Sequence, residues 1–274
     1  MISIQYLKSG AAVAALSLAT VAPSVAVAQD AAADGSAPGV TGAEAAEQGG
    51  KAWEYTVMPY LFAPSINGSA SLGNLDIDVD VSPSTVFDHL EAAFLARVEA
   101  KHESGWGYYI DYSLMNLGKG VSLPAGAGSV IADLDQQVLD VAATYRVSEG
   151  QDVIDVYGGI RYWDLGLDVI APGPLGIDRD ESWVDPMIGV RWERQLAEDW
   201  RAIAMGDVGG FGVGSDFAWM AAVGGAYDGW DNVSLVFMYR ANSVDYETGT
   251  QGTSSYFKYD TITSGPLVGV AFRF

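Results

Sequence analysis

The chain ends with the segment Gly265-Pro266-Leu267-Val268-Gly269-Val270-Ala271-Phe272-Arg273-Phe274. Counting back in twos from Phe274 gives Phe272, Val270 and Val268, whereas the other face carries Arg273, Ala271 and Gly269. Successive side chains of a β-strand point to opposite sides, so this pattern predicts a strand with one face suited to lipid. Because chain termini ordinarily fray, we expect this strand to be held at its end by a neighbouring strand.

The first 28 residues have the pattern of a secretory signal peptide. A single positive charge, Lys8, precedes an apolar stretch over residues 10–22 and the tripeptide Ala26-Val27-Ala28. This order predicts cleavage after Ala28, since the apolar stretch is shorter than the about 20 residues that span a bilayer as a helix. Residues 29–52 are rich in alanine and glycine, which predicts a flexible linker. The predicted folded domain is residues 53–274.

Composition narrows the function classes. The chain has 35 Asp and Glu against 14 Lys and Arg, so nucleic acid is not an expected partner. It has no cysteine, which excludes disulfides and thiolate metal sites. No motif for a cofactor is present, and we predict none.

The folded domain alternates with a period of two. In residues 152–171, Val156 and Ile160 share one face, while Asp155 and Arg161 share the other. Residues 92–101 and 184–193 repeat this pattern. A strand with one apolar face and one charged face is typical of the wall of a β-barrel or β-sandwich.

The turns predict an up-and-down antiparallel barrel. Tight turns at residues 103–105, 149–151, 197–199 and 228–231 alternate with longer loops expected at 118–133, 172–182 and 247–255. Nine strands are predicted after residue 91, and the preceding segment must supply an odd number if both termini lie at one end. Three short strands (54–62, 66–72 and 75–81) give twelve strands, and a single long strand gives ten. We expect twelve, with ten as the alternative.

Three local features qualify this pattern. Residues 83–90 predict a short helical element between wall strands, at or in the mouth. Pro186 lacks a ladder donor within a strand and predicts a β-bulge. The glycine-rich segment 209–214 lacks the Lys-Ser/Thr of a phosphate loop, so we interpret it as a bend.

Candidate catalytic residues are few, because the chain has two histidines. The stretch His102-Glu103-Ser104 contains the residue types of a hydrolase triad. It falls on a tight turn where alternate side chains diverge, which argues against a His–Ser pair. His89 lies beside Asp88, but no second ligand at helical metal spacing accompanies it. The sequence therefore predicts no catalytic and no metal-binding residues.

Charged residues on the inward face form the main candidate site. The following side chains share the parity of the lumen: Arg97, Glu99, Lys101, Asp111, Asp140, Arg146, Asp155, Arg161, Asp185, Arg191, Glu193, Asp207, Arg240 and Arg273. Both signs are present, so we expect cross-strand ion pairs. Aromatic residues near the strand ends, including Trp53, Tyr108, Tyr145, Trp200 and Trp230, predict interfacial girdles.

The two chain ends and the alternating body together resemble the superfamily of small Gram-negative outer-membrane β-barrels that includes the OmpA- and OmpW-type proteins. The resemblance implies a location in the outer membrane. It further implies that lipid, periplasmic chaperones and the barrel-assembly machinery are partners, with Phe274 read as the assembly signal. It transfers no functional residue, because function is not inherited with a fold.

Three hypotheses remain open for the role. The first is a non-enzymatic barrel, either a narrow passive pore for small solutes or a structural surface barrel. The alternatives are an outer-membrane hydrolase or acyltransferase acting on lipid, and a soluble periplasmic barrel that binds a ligand in an apolar cavity. Barrels of intermediate strand number leave the openness of the lumen undecided.

Overall fold

The computed structural model describes residues 52–125, 128–170 and 176–274. The predicted signal peptide and all but the last residue of the linker lie outside these residues. The strands are β1 (Trp53–Phe62), β2 (Ser65–Leu72), β3 (Leu75–Val81), β4 (Leu90–His102), β5 (Trp106–Ala125), β6 (Gly128–Ser148), β7 (Asp152–Ile170), β8 (Gly176–Ala197), β9 (Trp200–Gly209), β10 (Phe217–Trp230), β11 (Val233–Thr248) and β12 (Phe257–Arg273). A short helix, α1 (Pro83–His89), connects β3 to β4. No described helix is long and apolar enough to cross a membrane.

All twelve strands form one antiparallel sheet that closes through the pairing of β1 with β12. The end of the chain is fixed in this seam, because the Phe274 amide donates to the Tyr55 carbonyl at 2.9 Å. The fold is therefore the antiparallel β-barrel that the sequence predicts, with its final strand held by a neighbour.

The twelve strands occupy ten positions around the wall. On β12, Thr56 of β1 lies opposite Arg273 and Ser65 of β2 lies opposite Ser264, nine residues along on both strands. β1 and β2 are thus one wall strand, kinked at Ala63-Pro64. β3 and β4 likewise follow each other along one position of the wall, with α1 inserted between them. β3 pairs with β2, and β4 pairs with β1.

The expected twelve-stranded wall is therefore not confirmed, and the ten-stranded alternative fits. The three short strands exist, but a proline kink does not reverse the chain as a turn would. The Ala63 amide still donates to the Pro266 carbonyl at 3.0 Å across the kink. Gly265 permits this approach, since a Cβ there would lie 2.1 Å from the Ala63 carbonyl oxygen.

Two of the predicted long loops are largely strand. β5 continues to Ala125, β6 begins at Gly128, and β8 begins at Gly176. The strands extend because their inward side chains, such as Leu123 and Val130, are buried in an apolar core. We call this region the loop-end extension (residues 65–81, 117–125, 128–138, 163–170, 176–183, 244–248 and 257–263). The remaining part of the sheet is the turn-end barrel.

Pro186 requires no bulge. The β7–β8 register runs unbroken through Ile160 and Pro186. The β8–β9 ladder begins at Met187, and the Pro186 carbonyl accepts from the Gly210 amide at 3.1 Å. The amide donor that Pro186 lacks is therefore missing only at the end of the β8–β9 ladder, where β9 ends. The glycine-rich segment forms the turn there, with Gly210 and Phe211 in the left-handed region at φ 82° and 53°.

Candidate functional site: the barrel interior

Arg161 is the centre of the most buried ion cluster. Its guanidinium donates to both carboxylate oxygens of Asp140, at 2.8 and 2.9 Å, and to Asp207 at 3.2 and 3.3 Å. Asp140 lies directly opposite Arg161 on the neighbouring strand, whereas Asp207 is two strands away on β9. The Arg161 residue is 2% exposed. The Tyr157 hydroxyl adds a hydrogen bond to Asp207 at 3.1 Å.

Arg191 forms a second cluster that crosses the lumen. It donates to both oxygens of Glu99, at 2.8 and 2.6 Å, and to Asp155 at 2.6 Å. Asp155 is its direct cross-strand partner, but Glu99 is on β4, on the far side of the barrel. Lys101 approaches both carboxylates, at 3.4 and 3.6 Å. Bidentate pairs of this kind are among the strong hydrogen bonds of proteins.

Two further groups complete the ion network. Arg97 lies 3.4 Å from Asp111 and 3.7 Å from the centroid of the Tyr109 ring. At the turn end, Asp228 accepts from Arg201 at 3.1 Å and from Arg273 at 2.6 Å, and Arg201 also contacts Glu193. Arg146 contacts Asp155 at 3.0 Å.

Thirteen of the fourteen charged residues that the sequence predicts for the lumen belong to these ion clusters or lie beside them. Asp185 is the exception in role. It accepts from the Ser215 amide at 2.7 Å, from the Ser215 hydroxyl at 2.8 Å and from the Trp183 ring nitrogen at 3.2 Å. Asp185 therefore fastens the short β9–β10 turn instead of pairing with an arginine.

Arg240 differs from the other inward cations. The other seven each have a carboxylate within 4.0 Å. Among the described residues, Arg240 has no such partner, and its one hydrogen bond is a long contact of 3.4 Å to the Tyr60 hydroxyl. Its buried Nε has no hydrogen-bond partner. The Tyr60 hydroxyl is itself committed to Asp111 at 2.7 Å.

A chamber of about 490 Å³ occupies the turn-end barrel. One side is charged, with Arg97, Glu99 and Arg191 among its residues. An apolar band on β1 and β9–β12 contains Met58, Ile203, Met205, Met220, Val236, Met238 and Leu267, while Arg201, Asp228, Arg240 and Arg273 on the same strands also line the chamber. Sequence reasoning missed this apolar band. Its signal was the inward parity of Met205, Met220 and Met238 on three consecutive strands, where charges were expected.

The interior of the loop-end extension is filled with apolar side chains. Trp163 and Trp183 stack at 5.6 Å, and Trp183 stacks on Tyr246 at 3.9 Å. Trp183 is on β8 and Tyr246 on β11, so this contact joins the wall above the short β9–β10 turn. Ile66, Leu165 and Phe257 are fully buried around it. The interior of the barrel is therefore filled on the loop side of the chamber.

The structure corrects one argument about His102. Its Nδ1 lies 2.7 Å from the Ser104 hydroxyl and accepts from the Ser104 amide at 3.1 Å. The turn therefore brings together two side chains that the sequence argument expected to diverge. The ring packs edge-on against Trp53 at 4.8 Å, and within the described residues no carboxylate hydrogen-bonds to it. The His89 Nδ1–H donates to the Thr85 carbonyl within α1 at 2.9 Å, and no described acidic or histidine cluster is arranged for a metal.

Aromatic side chains gather at the turn end of the barrel. Trp53 stacks on Tyr108 at 6.2 Å, Trp106 contacts Tyr145 at 4.9 Å, and Tyr227 contacts both Trp200 and Trp230. Phe274 is 64% exposed beside this belt. The arrangement has the form of an interfacial girdle.

No protein-family model and no curated protein sequence matches the chain. Among solved structures, the outer-membrane protease OmpT from Escherichia coli has a similar fold, with a TM-score of 0.55, 10% identity, and coverage of 81% of this chain and 97% of that one. Neisserial surface protein A is matched with 16% identity and a TM-score of 0.32, over 82% and 98% of the two chains. At such identities the likeness concerns the fold alone. The chain is therefore a closed antiparallel β-barrel whose fold is similar to that of the OmpT structure.

Proposed function

We propose that the protein is a non-enzymatic outer-membrane barrel that acts as a structural surface barrel and conducts small ions at most. The observation that carries this proposal is the filled interior. The Arg161 cluster joins β6, β7 and β9, and the Trp163–Trp183–Tyr246 stack continues the obstruction toward the loop end. The paired charges and the apolar core leave no role for a wide, water-filled channel.

Conductance of the refolded barrel in a planar lipid bilayer tests this proposal. We expect no steady conductance, or a small one that saturates with small ions. Arg161→Ala and Arg191→Ala remove positive charge from the lumen, so any residual conductance should shift toward cations in both variants. A large, weakly selective conductance in the unmodified protein would refute a closed barrel.

Export and location form a separate part of the proposal. We expect the mature chain to begin at Gln29, to require detergent for extraction, and to be enriched in the outer membrane. Removal of Phe274 should reduce the yield of heat-modifiable, folded barrel while export continues, because the exposed terminal aromatic is lost and the signal peptide is intact. Normal folding yield of that truncated chain would contradict a role for Phe274 in assembly.

A lipid-modifying enzyme is the second candidate, favoured by the 2.7 Å contact between His102 and Ser104. A hydrolase of this type needs a third group that orients the imidazole. The Trp53 ring, which cannot accept a proton, packs against His102 instead. We expect no phospholipid or lipid A hydrolysis above that of a refolded, unrelated barrel. Hydrolysis that disappears in His102→Ala and persists in His89→Ala would establish the enzyme.

A further inference from the structure

The chamber in the turn-end barrel has the two surfaces that an amphipathic ligand requires. Its volume of about 490 Å³ lies within the range of small-molecule sites, about 300–1,000 Å³. Its mouth is at the turn end, where Glu54, Gln195 and Arg273 line it. A water-soluble molecule can therefore reach the chamber without crossing the apolar core of the loop-end extension.

The charged residues of the chamber are balanced, with one local exception. Six cations (Arg97, Lys101, Arg191, Arg201, Arg240 and Arg273) face six anions (Glu54, Glu99, Asp111, Asp140, Glu193 and Asp228). Five of those cations are consumed by ion pairs within the protein. Arg240 has no carboxylate within 4.0 Å among the described residues, and its Nε is buried without a partner. Arg240 is partly buried and has unfilled hydrogen-bonding capacity on its Nε, so an anion from outside would be stabilised there by a charge-assisted hydrogen bond.

Methionines supply the apolar surface. Four of the seven methionines in the chain, Met58, Met205, Met220 and Met238, line the chamber. Met238 lies two residues before Arg240 on the same inward face of β11. Methionine is flexible and polarizable, and it adapts to apolar ligands of differing shape.

We infer that the chamber binds a small amphipathic carboxylate, with the carboxylate on Arg240 and the apolar body on the methionine side. A second cavity of about 60 Å³ beyond Arg240, lined by Val86, Leu90 and Met115 below α1, shares Arg240 with the chamber. Arg240 therefore lies at the inner end of the chamber, where the ligand's head would be farthest from the mouth. Binding depends on the interior alone and is independent of the proposed membrane location.

Binding of radiolabelled octanoate to the refolded full barrel in phosphatidylcholine nanodiscs tests this inference. Protein-free nanodiscs correct for partition into the bilayer. We expect saturable binding at one site per barrel. Acetate, which has the same head but a minimal body, and octanol, which has the body but no charge, should each bind at least tenfold more weakly. Equal affinity for octanoate and either compound would overturn the proposal.

Two variants of matched chemistry locate the site. Arg240→Gln should reduce octanoate affinity at least tenfold, whereas Arg194→Gln, which removes an arginine outside the lumen that is paired with Asp152, should leave it within about twofold. Arg240→Lys retains the charge and provides a folded comparison if Arg240→Gln does not refold. Arg240→Lys should bind octanoate more tightly than the double variant Met205→Gln, Met220→Gln. Octanoate affinity that is equal in Arg240→Gln and the unmodified barrel would refute the role of Arg240. Displacement of octanoate by hexadecanoate confined to the bilayer would refute entry from water.

Discussion

The two halves of β7 have opposite polarity patterns. Toward the turn end, Asp155 and Arg161 point inward, while Val156 and Ile160 are exposed outside. Toward the loop end, Leu165 and Val169 are buried inside, while Asp168 is exposed outside. The strand keeps its period of two throughout, but the residue types change faces near Trp163.

The outward half of this reversal recurs on β8 and β12 and the inward half on β12, whereas Arg179 and Glu181 form an ion pair at the inward positions of β8. In the turn-end barrel the outward face is apolar, as contact with lipid would require, and the inward face holds paired charges. In the loop-end extension the outward face carries Asp180 and Asp260, as water requires, and the inward face is an apolar core. The same chain therefore builds an inside-out barrel and an ordinary β-structure end to end. A different interaction stabilises each half, and the following substitutions measure the two contributions separately.

The largest effect is expected for Arg161→Ala. The substitution leaves Asp140 and Asp207 confined without their cation, and breaking a buried pair in this way costs about 3–5 kcal/mol. Equilibrium urea unfolding of the barrel in lipid vesicles measures the loss. Replacing the whole cluster with Arg161→Met, Asp140→Leu and Asp207→Leu should recover most of that stability, because no unpaired charge remains. A loss below about 1 kcal/mol in Arg161→Ala would mean that the cluster is not desolvated.

Next in size is a charge placed on the outward face of β8. Val190 is 46% exposed on the turn-end barrel, and Val190→Arg should cost about 2–4 kcal/mol near the bilayer midplane. Asp180→Arg, ten residues away on the same face, lies in the loop-end extension and should change stability by about 0.5 kcal/mol or less. Equal costs at the two positions in lipid vesicles would show that the polarity reversal is not a membrane boundary.

Sequence alternation was sufficient to predict the strands and the parity of the charged side chains. It predicts that Asp140 and Arg161, or Asp155 and Arg191, share a face because neighbouring strands of a barrel have a fixed inside. The wall count failed at Ala63-Pro64, since a proline can equally begin a turn or kink a continuing strand. Residues 118–133 and 172–182 contain several glycines and prolines and are predicted as loops from the sequence, although most of them belong to strands.

The chamber could not be predicted in the same way. Contacts such as Arg191 with Glu99 join strands that are far apart in the wall, and pairwise alternation gives no cross-lumen distance. The isolation of Arg240 is a property of the whole network, because its nearest neighbours are all committed elsewhere. Only the inward methionines carried a readable signal, namely apolar residues on a face that was otherwise charged.

A smaller effect is expected for the deletion of one methyl group in the loop-end extension. Ile66 is fully buried there, and Ile66→Val should cost about 0.5–1.5 kcal/mol. Ile262 is 44% exposed on the outward face of β12, so Ile262→Val should cost less than half as much. Urea unfolding distinguishes these two losses of stability when both variants have the same dependence of the free energy of unfolding on urea concentration. The reverse order would mean that the interior of the extension is not close-packed.

The smallest effect is expected for an ion pair outside the lumen. Arg194 lies three residues after Arg191 on β8, and it contacts Asp152 at 3.4 Å with both side chains about 40% exposed. Exposed pairs contribute about 0–1 kcal/mol, so Arg194→Ala should leave the free energy of unfolding within that range. Arg191→Ala removes the partner of Glu99 and Asp155 and should cost several times more. Added salt should reduce the Arg194 contribution and leave that of Arg191 nearly unchanged, because the Arg191 cluster is shielded from solvent. Similar losses in both variants would mean that the inward and outward faces of this strand are equally hydrated.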